Sequence, residues 1–423
     1  MEKMQKNSVA RERLCAFFDA ATFVELGAYI RRPNAPDEAE GVVTGYGAVQ
    51  GRLVFAFAQD TTAMKGAVDG RHAEKIVSLY KKALSVGAPV VAMLDSAGAL
   101  VFEGAAALGG YSRLLAAVAE ASGVLPQIAL VSGACTGTMA AVAALFDFVV
   151  LDAGVAAPEG VQPALTASGE EDAFAKIRGL LSYLPDHSDA PAPQAAALDD
   201  PNRASALADR ATAAEALAAL ADGGVLFPLF ADVAPNVQAG FAALGAMPAC
   251  VLAVDGVLDA AGADKMNKML CVADDFSLPL VTFLNCEGVV GGEAAAALAH
   301  LARTQCLSSN ARVTVIVGAA IGAGFIFGGN KGLGADVVYA LPGAEIAALS
   351  ARTAVAFLYN DRISADVSRE ALEEQWKNEQ ATALAAAAQG EVDDIIDPTE
   401  LRARVIAALY MLDGKNGHAP CLC

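Results

Sequence analysis

Two stretches of small residues could do chemistry with main-chain groups alone. Ile128–Val131 is followed by Ser132–Thr138, which reads Ser-Gly-Ala-Cys-Thr-Gly-Thr, and Val313–Val317 is followed by Gly318–Gly324, which reads Gly-Ala-Ala-Ile-Gly-Ala-Gly. Each pattern predicts a buried strand, a turn and the start of a helix. Such a turn exposes consecutive N–H groups, to which the helix dipole adds partial positive charge. We therefore expect the two turns to bind a phosphate or to stabilise an oxyanion.

Two other interpretations of these turns stay open. Glycine and alanine also permit close packing of a helix on a strand, although the occurrence of the pattern twice favours a functional role. Gly322, Gly324 and Gly328 follow a strand, as the glycines of a dinucleotide-binding loop do, but the last spacing is one residue too long. Asp336 also comes too early to bind a ribose, so nucleotide binding is disfavoured.

Side chains that could catalyse a reaction are few. No histidine lies beside a recognisable nucleophile, and metal-ligand spacing such as H-E-x-x-H is absent, so we predict no metal site. The histidines are His72, His187, His300 and His418. Ala63–Lys65 resembles the biotin attachment tripeptide, but Gly66 replaces its second Met, and we interpret Lys65 as a loop lysine.

The composition limits the classes of function. In 423 residues, 29 Lys and Arg stand against 48 Asp and Glu, and the net charge of −19 would repel nucleic acid. The apolar fraction of 55% is compatible with a large buried core and excludes extended disorder. Ala121–Phe146 and Val313–Asn330 are uncharged and long enough to cross a membrane, but their internal small-residue turns argue against it. Because we find no secretory signal and no C-x-x-C pair, we expect a cytoplasmic protein.

An internal repeat connects the two turns. Three pairs of segments occur in the same order, each offset by about 185 to 190 residues. They are Pro89–Asp95 with Pro279–Asn285, Ile128–Thr138 with Val313–Gly324, and Asp147–Val150 with Asp336–Tyr339. A helical pattern precedes the first parallel strand of each half, at His72–Val86 and at Asp264–Phe276. Strands that alternate with helices predict parallel sheets, so the repeat predicts two related α/β domains, residues 1–190 and 191–423.

Three further segments frame these domains. Leu184–Pro193 is rich in Pro, Asp and Ala and is typical of a linker. Asp199–Asp222 is acidic and Ala-rich, which is compatible with a helix at the start of the second half. A last amphipathic helix is predicted over Glu400–Leu412, with Thr399 as its N-cap.

Motifs along almost the whole chain carry a family resemblance. They include Phe57–Asp60, His72–Ile76, Ser122–Ile128, Leu181–Pro185, Pro279–Phe283, Gly334–Val338 and Val392–Pro398. In this order the motifs resemble the carboxyltransferase subunits of biotin-dependent acyl-CoA carboxylases and of the related acyl-CoA decarboxylases. The resemblance implies an α/β fold of two tandem crotonase-like (ClpP/crotonase) domains related by internal duplication. It also implies an enzyme subunit that moves a carboxyl group between carrier-bound biotin and the α-carbon of a short acyl-CoA, of the propionyl-/methylmalonyl-CoA or acetyl-/malonyl-CoA kind.

The resemblance assigns roles to the two turns. In this family each domain has a backbone oxyanion hole, one for the thioester enolate and the other for the ureido oxygen of biotin. The first hole corresponds to Gly137 and Thr138, and the second corresponds to Ala323 and Gly324 with Gly322 adjoining. The N-terminal domain would hold the acyl-CoA, and the C-terminal domain of a partner subunit would hold biotin. The ureido nitrogen can take the α-proton itself, so few acid–base side chains are needed.

Further site residues and partners follow from the same resemblance. Ala97, Gly98, Gly133 and Gly288 are the expected cofactor-binding residues. Since no biotin-carrying or ATP-binding module is recognisable, the expected partners are a biotin carboxyl carrier protein and either a biotin carboxylase or a membrane decarboxylase subunit. The family also implies a homo-oligomer, either a dimer or a hexamer.

The chain departs from the family pattern at its expected site. Thr138 replaces a glycine, Leu100 replaces an arginine, Gly318–Ala319 replaces a basic pair and Glu287 replaces a proline. A stretch that members of the family have after Thr166–Glu170 is missing. These departures motivate the alternative of a non-catalytic, CoA-binding paralogue that acts as a scaffold or regulatory subunit. A biotin-independent hydrolase or isomerase of the crotonase kind is disfavoured by the duplicated domains.

Overall fold

A computed structural model describes residues 8–32, 35–196, 198–208, 211–364 and 366–415, so that His418 lies outside the described residues. The chain divides into two compact units, Met1–Ala192 and Pro193–Cys423, which we call the first and the second unit. Each unit has a mixed sheet and a hydrophobic core of its own.

In the first unit, helices alternate along the chain with the strands of one large sheet. Its helices are α1 Val9–Phe17, α2 Gly70–Val86, α3 Ala105–Ala121, α4 Thr138–Ala144 and α5 Glu170–Tyr183. Its strands are β1 Val24–Leu26, β2 Arg31–Arg32, β3 Ala35–Ala39, β4 Val42–Val49, β5 Arg52–Gln59, β6 Val90–Ser96, β7 Gln127–Cys135, β8 Phe148–Leu151 and β9 Leu165–Thr166. The strands β2 and β3 form a separate antiparallel pair.

The second unit repeats this succession and adds helices near its end. Its helices are α6 Ala213–Leu220, α7 Ala260–Asp275, α8 Ala294–Leu307, α9 Ala323–Phe327, α10 Ala351–Leu358, α11 Arg369–Gln380, α12 Ala383–Ala388 and α13 Leu401–Leu412. Its strands are β10 Leu226–Leu229, β11 Val237–Leu244, β12 Met247–Leu258, β13 Leu280–Val289, β14 Arg312–Ile321, β15 Val337–Ala340, β16 Glu345–Ala347 and β17 Asp394–Ile395.

The two sheets have the same topology. The strand order is β1-β4-β5-β6-β7-β8-β9 in the first unit and β10-β11-β12-β13-β14-β15-β17 in the second, where β16 lies beside the end of β14. In each sheet the first three strands are antiparallel and the following strands are parallel. Helices cross over between the parallel strands, as expected for α/β domains. The predicted α/β duplication is therefore confirmed.

Helix caps explain where the first long helix of each unit begins. The Asp69 carboxylate accepts the N–H groups of Arg71 and His72 at 2.8 Å, and α2 begins at Gly70. The Asp259 carboxylate accepts the N–H of Gly262 at 2.8 Å, and α7 therefore begins four residues before the predicted start at Asp264.

Two aspartates of the repeat tie neighbouring strands together. The carboxylate of Asp147, just before β8, accepts the N–H of Gln127 at the start of β7 at 2.7 Å. The carboxylate of Asp336, just before β15, accepts the N–H of Arg312 at the start of β14 at 2.8 Å. The third pair of repeated segments therefore reflects the same structural contact in both units.

A bulge at the same place in both sheets moves the turns away from their predicted positions. The flanking pairs are Leu94 with Val131 and Ser96 with Cys135 in the first unit, and Leu284 with Ile316 and Cys286 with Ala320 in the second. Two steps along one strand thus correspond to four along its neighbour. The predicted strands over Ile128–Val131 and Val313–Val317 continue through the bulge to Cys135 and Ile321, and the turns follow only there.

Two predicted features of the second unit differ from the structure. Within Asp199–Asp222, only Ala213–Leu220 is an α-helix. The fully buried Arg402 side chain donates to the carbonyl of Asp200 at 3.0 Å, which holds the preceding segment in an irregular conformation. Thr399 does not cap α13, because its hydroxyl donates to the Asp397 carboxylate at 2.6 Å in a 3-10 turn before that helix.

The predicted linker Leu184–Pro193 is packed at its start. Leu184 is buried, and the Arg52 guanidinium donates to the Leu184 carbonyl at 2.9 Å and to the Asp186 carboxylate at 2.6 Å. In the part of the chain that the structure describes, no helix is long and apolar enough to cross a membrane.

Glycine is required in the two bulges. A Cβ at Gly133 would lie 2.2 Å from the Asp95 carboxylate, and a Cβ at Gly318 would lie 2.2 Å from the Asn285 side-chain oxygen. We expect Gly133→Ala and Gly318→Ala each to lower the free energy of unfolding by about 1 to 3 kcal/mol through overpacking, as measured by chemical denaturation. Gly109→Ala is the matched control, because its nearest atom lies at 3.5 Å and alanine favours the helix α3. Equal stability of the three variants would contradict this account of the bulges.

Candidate functional site

The first turn presents free main-chain donors. Gly137 has φ 59° and ψ −128°, a conformation that strongly favours glycine, and α4 begins at the next residue. The N–H groups of Gly137 and Thr138 donate to no acceptor among the described residues. Thr136, Gly137 and Thr138 are all exposed. Both amides are therefore available to an oxygen atom of a ligand.

The second turn has the same backbone and a more enclosed setting. Gly322 has φ 54° and ψ −122°, and its N–H donates to the carbonyl of Ala347 in β16 at 2.8 Å. The N–H groups of Ala323 and Gly324 donate to no acceptor in the described part of the chain. A Cβ at Gly324 would lie 2.7 Å from the Cys286 sulfur, so this position must be glycine. The free pair of amides is thus Ala323 and Gly324.

The two predicted pairs of donors are one residue out of register with each other. By backbone conformation Gly137 corresponds to Gly322, and Thr138 corresponds to Ala323. The counterpart of Gly324 is Met139, whose N–H donates to the carbonyl of Thr136 at 3.2 Å. The turns therefore present different pairs of free amides on equivalent backbones. Because α4 has seven residues and α9 only five, these individual N–H groups matter more than a long helix dipole.

One side chain per unit fills the bulge that leads into the turn. Oδ1 of Asp95 accepts the N–H of Ala134 at 3.0 Å. Oδ1 of Asn285 accepts the N–H of Ala319 at 2.9 Å, and its amide donates to Asp255 at 2.9 Å. The glycine before each of these amides leaves room for the side chain. An aspartate in the first unit and an asparagine in the second therefore accept the equivalent hydrogen bond.

The predicted cofactor-binding residues of the first unit lie at the carboxyl edge of its sheet. Ala97 and Gly98 follow β6, while Gly133 lies in the neighbouring strand β7, two residues before its end. The N–H of Ala97 donates to the carbonyl of Lys65 at 3.0 Å, and the N–H of Val68 donates to the carbonyl of Gly98 at 2.8 Å. The structure thus brings Ala97, Gly98 and Gly133 to the same edge as the first turn.

The predicted residue Gly288 has the equivalent place in the second unit. It is the next-to-last residue of β13 and pairs with Val257 of β12, two residues after Cys286, which pairs with Ala320 of β14. Its carbonyl accepts the thiol of Cys286 at 3.2 Å, and a Cβ added to it would meet no atom within 4 Å.

The two thiols near the turns are held neutral. Burial raises the pKa of the Cys135 thiol to about 11, and burial also raises the pKa of the Cys286 thiol. Burial lowers the pKa of His72 to about 3, and this ring lies in the first turn of α2. Neither thiol is therefore a thiolate nucleophile at neutral pH. Among the described residues, no group of three or more His, Cys, Asp or Glu side chains could hold a metal ion.

Two cavities flank the second turn. One, of about 600 Å³, includes Gly322 and Ala323 of the turn, together with Trp376 of α11. The other, of about 830 Å³, includes Asn285 and Gly318 and carries charged side chains. Sequence reasoning missed both cavities, because the residues that line them come from elements far apart in the chain. The only signal was that the single Trp of the chain lies in a highly charged helix.

Comparison with known proteins gives consistent matches over nearly the whole chain. A family model described as "Carboxyl transferase domain" matches residues 2–158 and 152–422. The carboxyltransferase subunit of propionyl-CoA carboxylase from Haloferax mediterranei is 33% identical over 471 positions, which cover 97% of this chain and 91% of that protein. Methylmalonyl-CoA decarboxylase subunit alpha from Veillonella parvula is 32% identical over 468 positions, with the same coverage.

A solved structure matches nearly the whole chain. The crystal structure of transcarboxylase 12S, described as a hexamer with hydrolysed methylmalonyl-CoA bound, has a TM-score of 0.90 and 27% sequence identity. The match covers 97% of this chain and 91% of that chain. It confirms the predicted fold class of two tandem crotonase-like domains.

The side chain in the first bulge provides a test of what positions the turn. We expect Asp95→Asn to keep the free energy of unfolding, because Asn285 makes the same hydrogen bond in the second unit. Asp95→Ala removes the acceptor of the Ala134 N–H and should cost about 1 kcal/mol in chemical denaturation. If Asp95→Asn proved as destabilising as Asp95→Ala, then the charge of Asp95 would matter rather than the hydrogen bond.

Proposed function

The chain belongs to the carboxyl transferase domain family, and on this basis we propose that it is the carboxyltransferase subunit of a biotin-dependent acyl-CoA carboxylase or decarboxylase. It moves a carboxyl group between biotin and the α-carbon of a short acyl-CoA. Relatives named for propionyl-CoA and methylmalonyl-CoA favour a substrate of that size.

One observation carries this proposal: each of the two equivalent backbone turns has two N–H groups without a hydrogen-bond acceptor among the described residues. The N–H groups of Gly137 and Thr138 are assigned to the thioester oxygen of the acyl-CoA, which gains negative charge when the α-carbon becomes an enolate. Since donors placed where charge develops lower a barrier by about 3 to 4 kcal/mol each, main-chain groups can carry much of the catalysis. Ala97, Gly98 and Gly133, at the same sheet edge, are assigned to acyl-CoA binding.

The second turn fits the ureido group of biotin. Ala323 and Gly324 offer two donors to one oxygen, and the adjoining cavity of about 600 Å³ is large enough for a small bicyclic ring. Biotin, when bound, carries the carboxyl group on its ureido nitrogen and supplies that nitrogen as the base for the α-proton. The residues of this chain then need to bind, orient and stabilise charge, in agreement with the neutral thiols and the buried His72. Gly288 at the same edge is assigned to biotin binding.

The partners follow from the reaction. We infer that biotin arrives on a separate carboxyl carrier protein, and that a biotin carboxylase or a membrane decarboxylase subunit supplies or removes the carboxyl group. The transcarboxylase 12S relative is described as a hexamer. We propose a homo-oligomer for this chain too, in which the biotin site of one subunit serves the acyl-CoA site of its partner.

One observation favours the alternative of a non-catalytic, CoA-binding paralogue. The alignment with the Haloferax protein has 471 positions, whereas 97% of this chain is about 410 residues, so about 60 positions have no residue here. The matched parts of the family model meet at residues 152–158, shortly after β8 and therefore near the exposed first turn. A scaffold subunit would bind CoA, as measured by calorimetry, without any carboxyl exchange.

Carboxyl exchange decides between the two functions. The purified chain is mixed with biotinylated carrier protein and with isotopically labelled malonyl-CoA or methylmalonyl-CoA. We expect label to move from the acyl-CoA to the carrier. CoA binding without exchange for any short acyl-CoA would contradict the enzymatic proposal and favour the scaffold.

The role of the amides is tested by proline at the first position of each short helix. Thr138→Pro and Ala323→Pro each remove one N–H, and proline is well tolerated at this position of a helix. We expect each to lower kcat about 100-fold to 1000-fold, with a smaller change in CoA affinity. Thr138→Ala and Ala323→Ser keep the N–H and serve as matched controls. An equal loss of kcat in the controls, or a loss confined to CoA affinity, would exclude the oxyanion role.

A further inference from the structure

The only tryptophan of the chain lies at the second turn. Trp376 belongs to α11, and it lines the same cavity of about 600 Å³ as Gly322 and Ala323. Its ring contacts the Tyr359 ring edge to face, with the centroids 6.1 Å apart, and the Arg362 guanidinium lies 4.2 Å from the Tyr359 centroid. This stack holds the indole at the cavity wall from behind.

The chemistry of the cavity fits an uncharged ring with polar edges. Phe325 and Ile346 give it apolar surface, Gln380 and Gln389 add amide groups, and Glu391 adds a carboxylate that would repel an anion. No Lys or Arg is among its described lining residues, so a phosphate group would find no counter-charge there. The neighbouring cavity, by contrast, includes Arg352 and Lys377.

The indole meets the cavity through its ring carbons. Trp376 is partly exposed, whereas its Nε1 atom is buried and therefore does not face the cavity. The indole thus offers a bound ring an apolar packing surface rather than a hydrogen bond.

We propose that Trp376 is a positioning residue for biotin. The indole forms the wall on which the bicyclic ring packs, which directs the ureido oxygen to the N–H groups of Ala323 and Gly324. This inference rests on the proposed function and specifies which cavity of the second unit takes biotin.

Intrinsic fluorescence tests this placement without an activity assay. With excitation at the red edge, where tyrosine does not absorb, the emission of the whole chain comes from Trp376 alone. We expect biocytin, the lysine conjugate of biotin, to change this emission in a saturable way. Lipoyl-lysine has the same acyl tail without the ureido ring and should leave the emission unchanged. An emission that stays constant at biocytin concentrations that saturate carboxyl exchange would overturn the proposal.

A substitution separates positioning from folding. We expect Trp376→Phe to raise the KM for biocytin about tenfold, equivalent to about 1.4 kcal/mol, and to leave the KM for acyl-CoA unchanged. Tyr359→Phe keeps the ring behind the indole and is the matched control, with an unchanged KM for biocytin. An unchanged KM for biocytin in Trp376→Phe, or a parallel rise of both KM values, would overturn the role of Trp376. Absence of exchange in the wild type would instead overturn the proposed function, so the two failures are distinguishable.

Discussion

The structure of both sites depends on a hydrogen bond between a side-chain oxygen and a main-chain amide inside a bulged strand. Asp95 in the first unit and Asn285 in the second each occupy the space above a glycine and accept the following N–H. Two residues of one strand thereby stay in register with four of the next. The bulge redirects β7 and β14. Each of these strands then leads into a turn, whose glycine has φ 59° at Gly137 and φ 54° at Gly322.

This arrangement explains how a sheet edge can do chemistry with few reactive side chains. Strand and helix amides are normally paired, so free donors arise only where a regular element is interrupted. The bulge and the turn provide such an interruption twice, and both times next to the carboxyl end of the neighbouring parallel strand. The nearby thiols have raised pKa values and stay neutral, so they do not compete with the amides for an anionic oxygen. The geometry therefore suits stabilisation of a developing oxyanion better than nucleophilic catalysis.

The sequence was sufficient to predict the fold class and the family, because both can be recognised from short patterns along the chain. Apolar runs, small-residue turns and the repeated Asp before β8 and β15 all have short-range causes, and their common offset indicated a duplication. The bulges were not predictable, because Gly133 and Gly318 are understood only once Asp95 and Asn285 are known to lie above them. The irregular segment before α6 was predicted wrongly for a related reason: Arg402, about 200 residues away in sequence, donates a hydrogen bond to its Asp200 carbonyl.

The two turns have the same backbone but different surroundings, and this difference bears on how duplicated domains acquire separate roles. In the second unit β16 lies beside β14 after the bulge, and Ala347 takes the N–H of Gly322. With the N–H of Gly322 paired, the free donors are Ala323 and Gly324, next to a cavity walled by α11 and α12. Among the described residues of the first unit no strand corresponds to β16, so the N–H of Gly137 stays free and its turn is exposed. One backbone motif therefore presents different free amides in the two units, because β16 takes the N–H of Gly322 in the second unit and the Thr136 carbonyl takes the N–H of Met139 in the first.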